Sequence, residues 1–275
     1  MQMTAKPDSD RFQSGADKYA AYRETPKGRW RCDLAFVNLQ DLLVLPQGGR
    51  SLRGLDLGCG TGATAKPLAR LGIHMMLLDS SSAMLDIAKR AAREAGGKIA
   101  VKHSDAAQVA NLFPAGSFDV VLCHNILEYV DDPSSVLRAA AKVQSDSTGI
   151  LSILARNWAG EVFKVGVKAG DLGAADCNLA MLWGLASLFC GRVRVFTLES
   201  LQVMTQGASL AGAAERGVRV ISDYLPPQVS RREEYERIFE LERKLGSRPE
   251  FAAVACYIQV IARHFWASSS KETGP

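Results

Sequence analysis

Long apolar runs are missing from this chain. Nothing in its 275 residues approaches the ~18 consecutive apolar positions that cross a bilayer, and the N-terminal segment has no signal-like apolar core. Clustered cysteines are missing too. The six, at positions 32, 59, 123, 177, 190 and 256, show no paired short spacing, which argues against both a zinc site and a disulfide framework and predicts reduced thiols in a cytoplasm. Strong charge of one sign is also lacking: the net charge of +4 permits an RNA partner without demanding one. There is no internal repeat and no low-complexity tract. What remains is a chain with 47% apolar residues, long enough to bury one large α/β core.

The most informative stretch is Asp56-Leu57-Gly58-Cys59-Gly60-Thr61-Gly62, directly after the strand-like run 51–55. Glycines at alternate positions let a strand turn sharply into a helix while the backbone approaches a ligand closely. Gly58-x-Gly60-x-x-Ala63 also satisfies a relaxed dinucleotide fingerprint, so spacing alone leaves a nicotinamide dinucleotide open. The carboxylate decides. An aspartate two residues before the first glycine would repel a pyrophosphate but attract a cofactor carrying an ammonium and a sulfonium, a description that fits S-adenosylmethionine.

Two further acids follow in order. Residues 73–78 read as a short buried strand ended by Asp79, where a carboxylate can accept both hydroxyls of an adenosine ribose. Ser80 and its neighbours offer capping hydroxyls, and Met84 is placed either against the adenine ring or in the core. After the strand candidate 98–103 comes Asp105, able to accept from the adenine amino group, with the Ala106 N–H in reach of a ring nitrogen.

These motifs, with Ser117-Phe118-Asp119-Val120-Val121-Leu122-Cys123-His124, resemble those of the class I methyltransferases. The resemblance implies a Rossmann-like α/β fold: a seven-stranded, mostly parallel sheet with helices on both faces, a reversed final strand, and the cofactor across the carboxyl ends of the strands. On that reading residues 11–266 form one methyltransferase domain between loose tails at 1–10 and 267–275. It opens with a helical leader over 11–49 and carries a helical cap insertion over 157–200, placed over the acceptor site. The later strands are expected at 217–225 and 251–262, with a charged helix around 231–245 between them.

The likeness extends to the bacterial tRNA carboxymethoxyuridine methyltransferases, carried by Thr25-Pro26-Lys27-Gly28-Arg29-Trp30-Arg31, by His124-Asn125-Ile126-Leu127-Glu128-Tyr129-Val130-Asp131-Asp132-Pro133, by Asn157 with Gly160, and by residues 218–225 with Tyr257-Ile258. It implies that Arg31 holds the methionine carboxylate of the cofactor and that His124 stands at the cofactor site. His124 is also the nearest candidate base for a hydroxyl acceptor, whereas a carboxylate acceptor needs none. An anionic acceptor calls for cationic or amide donors, for which Asn157, Arg219, Tyr224 and Arg194 are the candidates, with Tyr22 and Tyr19 closing over the site. The acceptor is expected to be a tRNA carboxylate or an anionic small molecule, because the insertion is read as offering only Arg192 and Arg194 where the family carries a lysine run. A cofactor-binding protein without transferase activity is the remaining alternative.

Overall fold

The computed structural model describes residues 8–46, 50–95, 98–186 and 191–265. The expected tails therefore lie mostly outside the described residues, although the first helix, α1 (Asp8–Glu24), already includes positions 8–10. Next comes α2 (Pro26–Gln40), with Thr25 as N-cap accepting from the Gly28 N–H and Pro26 at the first helical position. Strands and helices then alternate: β1 (Arg53–Leu57), α3 (Ala65–Arg70), β2 (His74–Asp79), α4 (Ser82–Ala95), β3 (Ile99–His103), α5 (Val109–Leu112), β4 (Val120–His124), α6 (Pro133–Val143) and β5 (Ile150–Arg156).

The central strands are buried on both faces, which is why they read as continuous apolar runs rather than alternating ones. In β4, Val121 and Cys123 point into a core shared with Val136 and Leu137 of α6. Val120 and Leu122 face the opposite core, with Leu39 of α2, Leu68 of α3 and Leu85 of α4.

With the last two strands of the sheet, β8 (Leu210–Val218) and β9 (Tyr257–His264), the sheet order is β3-β2-β1-β4-β5-β9-β8. β1 pairs in parallel with both β2 and β4, so the strand order reverses there and a crevice opens at their carboxyl ends. β9 (Tyr257–His264) runs antiparallel to both neighbours, β5 and β8 (Leu210–Val218). As a consequence, the start of β9 and the end of β8 reach the same edge as the ends of β1, β2 and β4.

Three elements differ from expectation. The insertion is not wholly helical: α7 (Trp158–Lys168) and α8 (Leu172–Leu179) are followed by an antiparallel hairpin, β6 (Trp183–Ala186) with β7 (Gly191–Arg194), before α9 (Leu198–Gly207). The penultimate strand is β8, and only its last two residues overlap the expected 217–225. Arg219 adopts a left-handed conformation (φ 63°). The N–H groups of Val220, Ile221 and Ser222 then donate to the buried carboxylate of Glu242 at 2.5, 3.0 and 2.6 Å, which satisfies the backbone outside any ladder. Glu242 belongs to α10 (Tyr235–Gly246). Finally, residues 249–252 form a short helix, α11 (Pro249–Ala252), so the last strand starts only at Tyr257.

The start of β9 is locked by the insertion. Asn157, N-cap of α7, donates from Nδ2 to the carbonyls of Ala253 and Ala255, both at 2.8 Å, and accepts from the Ala159 N–H. One turn on, a Cβ at Gly160 would stand 2.1 Å from the Ala255 oxygen. Gly160→Ala is expected to lower unfolding stability by about 1–3 kcal/mol through this backbone clash, measured by urea denaturation.

Candidate functional site

A cavity of about 790 Å³ opens at the carboxyl edge of the sheet, where the strand order reverses. One half is formed by the glycine turn and β2. Gly58 and Gly60 both have positive φ (64° and 53°), a conformation that side chains strain; a Cβ would also crowd Ile126 at 2.8 Å from Gly58 and meet the Tyr19 ring tightly at 3.3 Å from Gly60. The turn is tied to β2 by Asp79, whose Oδ2 accepts from the Gly60 N–H and Oδ1 from the Ser81 N–H, each at 2.8 Å. Burial raises the Asp79 pKa, and these backbone donors oppose the rise. Ser80, Met84 and Asp105 also line this half, together with Phe12, Tyr19 and Tyr129. Asp105 caps the following 3-10 turn, accepting from the Ala107 N–H at 2.7 Å.

Asp56 sits behind the turn rather than in the cavity wall. It is 2% exposed, and its Oδ2 has no hydrogen-bond partner. Burial first, then repulsion from Asp79, pushes its pKa up to about 8, with Arg23 opposing. Cys59 and Ala106 turn their side chains into the hydrophobic cores, so any ligand contact at these positions would come from backbone.

His124 lines the cavity at the end of β4, with Nε2 2.8 Å from the Ser152 hydroxyl. Burial, Arg31 and Arg23 together push its pKa down to about 3. A neutral imidazole this hard to protonate is a hydrogen-bonding group and a weak base.

The second half of the cavity is cationic. Arg31, Arg156, Arg219, Lys27, Lys164 and Lys168 line it. Arg156 and Lys164 share Glu161 at 3.0 and 3.5 Å. Lys27 and Lys168 share Asp223 at 2.8 and 3.8 Å, and Arg219 also pairs with Asp223. These two carboxylates serve five cations. Arg31 lies instead among tyrosines, donating to the Tyr19 hydroxyl at 2.7 Å, and its Nε is unpartnered. The Tyr22 hydroxyl accepts from Arg219 at 3.0 Å.

Of the expected acceptor contacts, Arg219 and Tyr22 therefore reach the cavity and three do not. Both ends of the Asn157 amide are consumed in holding α7 to the segment before β9. Arg194 reaches the Val130 and Asp131 carbonyls and lies over the Trp183 ring from outside the cavity wall. Tyr224 packs its ring edge-on against Phe163, away from the opening. In their place stand Lys164 and Lys168, one turn apart on α7, and Arg156 at the end of β5. The lysines were visible in sequence as an i, i+4 basic pair behind Glu161. Nothing local to Arg156 signals its role, which comes from β5 ending at the cavity.

The parallel sheet with one reversed strand and the acid–glycine turn at the switch point define a class I methyltransferase, whose cofactor is S-adenosylmethionine. A methyltransferase domain model matches residues 55–151. The chain belongs to the methyltransferase family that includes the tRNA 5-carboxymethoxyuridine methyltransferase of Escherichia coli O157:H7, with which it is 31% identical over 241 residues, covering 87% of this chain and 90% of that one. A ubiquinone biosynthesis O-methyltransferase of Caulobacter sp. is 36% identical over 118 residues, but the match covers only 41% of this chain and 46% of that one. Among solved structures, the fold is shared with S-adenosylmethionine-dependent methyltransferases from Thermotoga maritima (17% identity, TM-score 0.59, covering 93% of this chain and 99% of that one) and Mesorhizobium loti (18% identity, TM-score 0.54, covering 85% and 100%).

The residues present suit that cofactor. The unpartnered Asp56 Oδ2 and Arg31 Nε are opposite in sign, as the two ends of a zwitterionic amino acid require. The crowded glycine turn leaves backbone alone beside the ligand.

Asp56 links stability to pH in an unusual direction. Its folded pKa lies above the unfolded value of 3.8, so the folded state holds its proton more tightly, and stability is lost as pH rises from about 4 to about 8. Asp56→Asn is expected to raise the Tm of the ligand-free protein at pH 8 by several degrees, to flatten this pH dependence in calorimetric scans, and to weaken S-adenosylhomocysteine binding. Asp79→Ala, which removes a carboxylate and frees the glycine turn, is expected to weaken the same ligand at least tenfold in isothermal titration.

Proposed function

We propose that this methyltransferase esterifies a carboxylate, and that the carboxylate belongs to a carboxymethoxy-substituted uridine of tRNA. The observation that carries this reading is the excess of cations in the acceptor half of the cavity, where five lysines and arginines share Glu161 and Asp223 and Arg31 adds a sixth cation with no carboxylate partner. Such a wall favours an anion and repels an ammonium group.

When bound, S-adenosylmethionine supplies a methyl group already activated by its sulfonium. The protein's part is then chiefly to hold and align the acceptor. Asp79, Ser80, Met84 and Asp105 serve the adenosine, Arg31 the methionine carboxylate, with Asp56 adding negative potential from behind the glycine turn, and Arg219 with the α7 lysines the acceptor anion. A carboxylate needs no base, which agrees with a histidine held near pKa 3.

The choice of tRNA rests on coverage. The likeness to the tRNA enzyme spans 87% of the chain, whereas the likeness to the ubiquinone enzyme spans 41%. One observation favours a second reading, a small apolar acid. The outer face of the insertion exposes Leu172, Leu179, Leu182 and Trp183. Phosphates would be better served by cations there.

Incubating the enzyme with radiolabelled S-adenosylmethionine and either tRNA bearing 5-carboxymethoxyuridine or a small-acid extract separates the two. Base-labile methyl label in the tRNA is expected; label in extract alone would overturn the tRNA assignment, and base-stable label would overturn the ester. Arg219→Ala is expected to raise the acceptor KM about 10- to 100-fold with little change in cofactor affinity.

A further inference from the structure

Tyr257 occupies a position that the fold creates and that no local motif marks. It is the first residue of β9, and because β9 is reversed its N-terminal end reaches the cavity. In register it stands opposite Arg156 on β5 and opposite Val218 on β8, next to Arg219. The guanidinium carbons of Arg31 and Arg219 each lie 5.6 Å from the centre of its ring. Three guanidiniums from three different elements thus converge on one phenol. The residue is 6% exposed, and its hydroxyl, which keeps access to the cavity, makes no hydrogen bond among the described residues. A phenol that opens on a cavity without a protein partner is free to donate to a ligand.

We propose that Tyr257 is an acceptor-orienting catalytic residue, its hydroxyl donating to one oxygen of the acceptor carboxylate while Arg219 and Arg156 neutralise the charge. This rests on the carboxylate reading above and adds the group that fixes the carboxylate's rotation. Guanidiniums alone give a broad attractive field; a hydroxyl on a rigid strand adds a directed bond.

The charged surroundings give the proposal a distinctive readout. Arg31 faces Tyr257 from α2, Arg156 from β5, Arg219 from the turn after β8, Cys256 from the residue just before β9, and Tyr129 from the turn after β4. Glu161 and Asp223 stand behind Arg156 and Arg219 as their counter-ions. Burial opposes ionisation of the phenol, but the three guanidiniums outweigh it and hold the pKa below its ordinary value. A bound carboxylate offsets those guanidiniums and restores the neutral phenol. Acceptor affinity therefore falls as pH rises through the phenol's pKa.

The test uses the full chain saturated with S-adenosylhomocysteine. Ultraviolet titration of tyrosine ionisation is followed with acetate as a minimal carboxylate, and with chloride at equal ionic strength as control. One tyrosine titrating below the ordinary range is expected, moving upward with acetate but not with chloride, and absent in Tyr257→Phe. That variant removes one oxygen and keeps the ring, and circular dichroism checks its fold. A low-titrating tyrosine that persists in Tyr257→Phe, or one indifferent to acetate, overturns the proposal. With whichever acceptor turns over, Tyr257→Phe is expected to lower kcat/KM about 10- to 100-fold and to abolish the alkaline limb of the pH profile, leaving S-adenosylhomocysteine affinity unchanged. Weakened S-adenosylhomocysteine binding instead would assign Tyr257 to the cofactor and also overturn it. The acetate arm needs no turnover, so failure of the esterification reading leaves it interpretable.

Discussion

Burying polar atoms without partners is costly, and this molecule does so on both sides of one cavity. Behind the glycine turn, Asp56 keeps one carboxylate oxygen without a partner, close enough to Asp79 for the two to repel. Across the cavity, Arg31 and Arg219 each leave a buried Nε unpaired. Neither arrangement stabilises the free protein. On the proposed reading both become favourable when a ligand supplies opposite charge, a cation on one side and an anion on the other. The separation of signs along one crevice is what the surrounding structure maintains.

Topology does much of that maintenance. Parallel strands send their carboxyl ends to one edge, which brings the glycine turn, Asp79 and His124 together. Reversal of β9 delivers a strand beginning to the same edge and, beside it, the left-handed Arg219 at the end of β8. A non-glycine residue with positive φ is strained and persists only where its surroundings over-determine it. Here Glu242 does so by gathering the next three backbone N–H groups. The guanidinium is thus positioned by a buried carboxylate on α10 that has no contact with the cavity itself.

The half of the cavity around the glycine turn was legible in the sequence because its motifs are local. An acid, three glycines and a second acid at a strand tip are fixed by short-range geometry, and the structure brings Gly58, Gly60 and Asp79 to the cavity wall with Asp56 behind them. The cationic half was less legible because it is assembled from distant segments. Lys27 on α2, Arg156 on β5, Lys164 and Lys168 on α7, and Tyr257 on β9 meet only after the sheet closes. The two late strands were misplaced for a related reason. Residues 219–225 and 251–256 are apolar enough to suggest strands, yet their backbone groups are satisfied by Glu242, by the α11 turn and by Asn157 rather than by a ladder. Apolar content reports burial, and burial does not require a sheet.

Asn157 shows how likeness at a position can be read too directly. An amide in a stretch that resembles a family and lying near the cavity suggests a substrate contact. Here every polar atom of its side chain is spent on backbone: Nδ2 on two carbonyls before β9, and Oδ1 on the first turn of α7. Gly160 serves the same junction by letting α7 approach the Ala255 carbonyl. Together they join the insertion that carries Lys164 and Lys168 to the strand that carries Tyr257. Their effect on the acceptor is exerted through placement: loosening the junction would move two lysines and a phenol relative to the arginines without removing any charge from the wall.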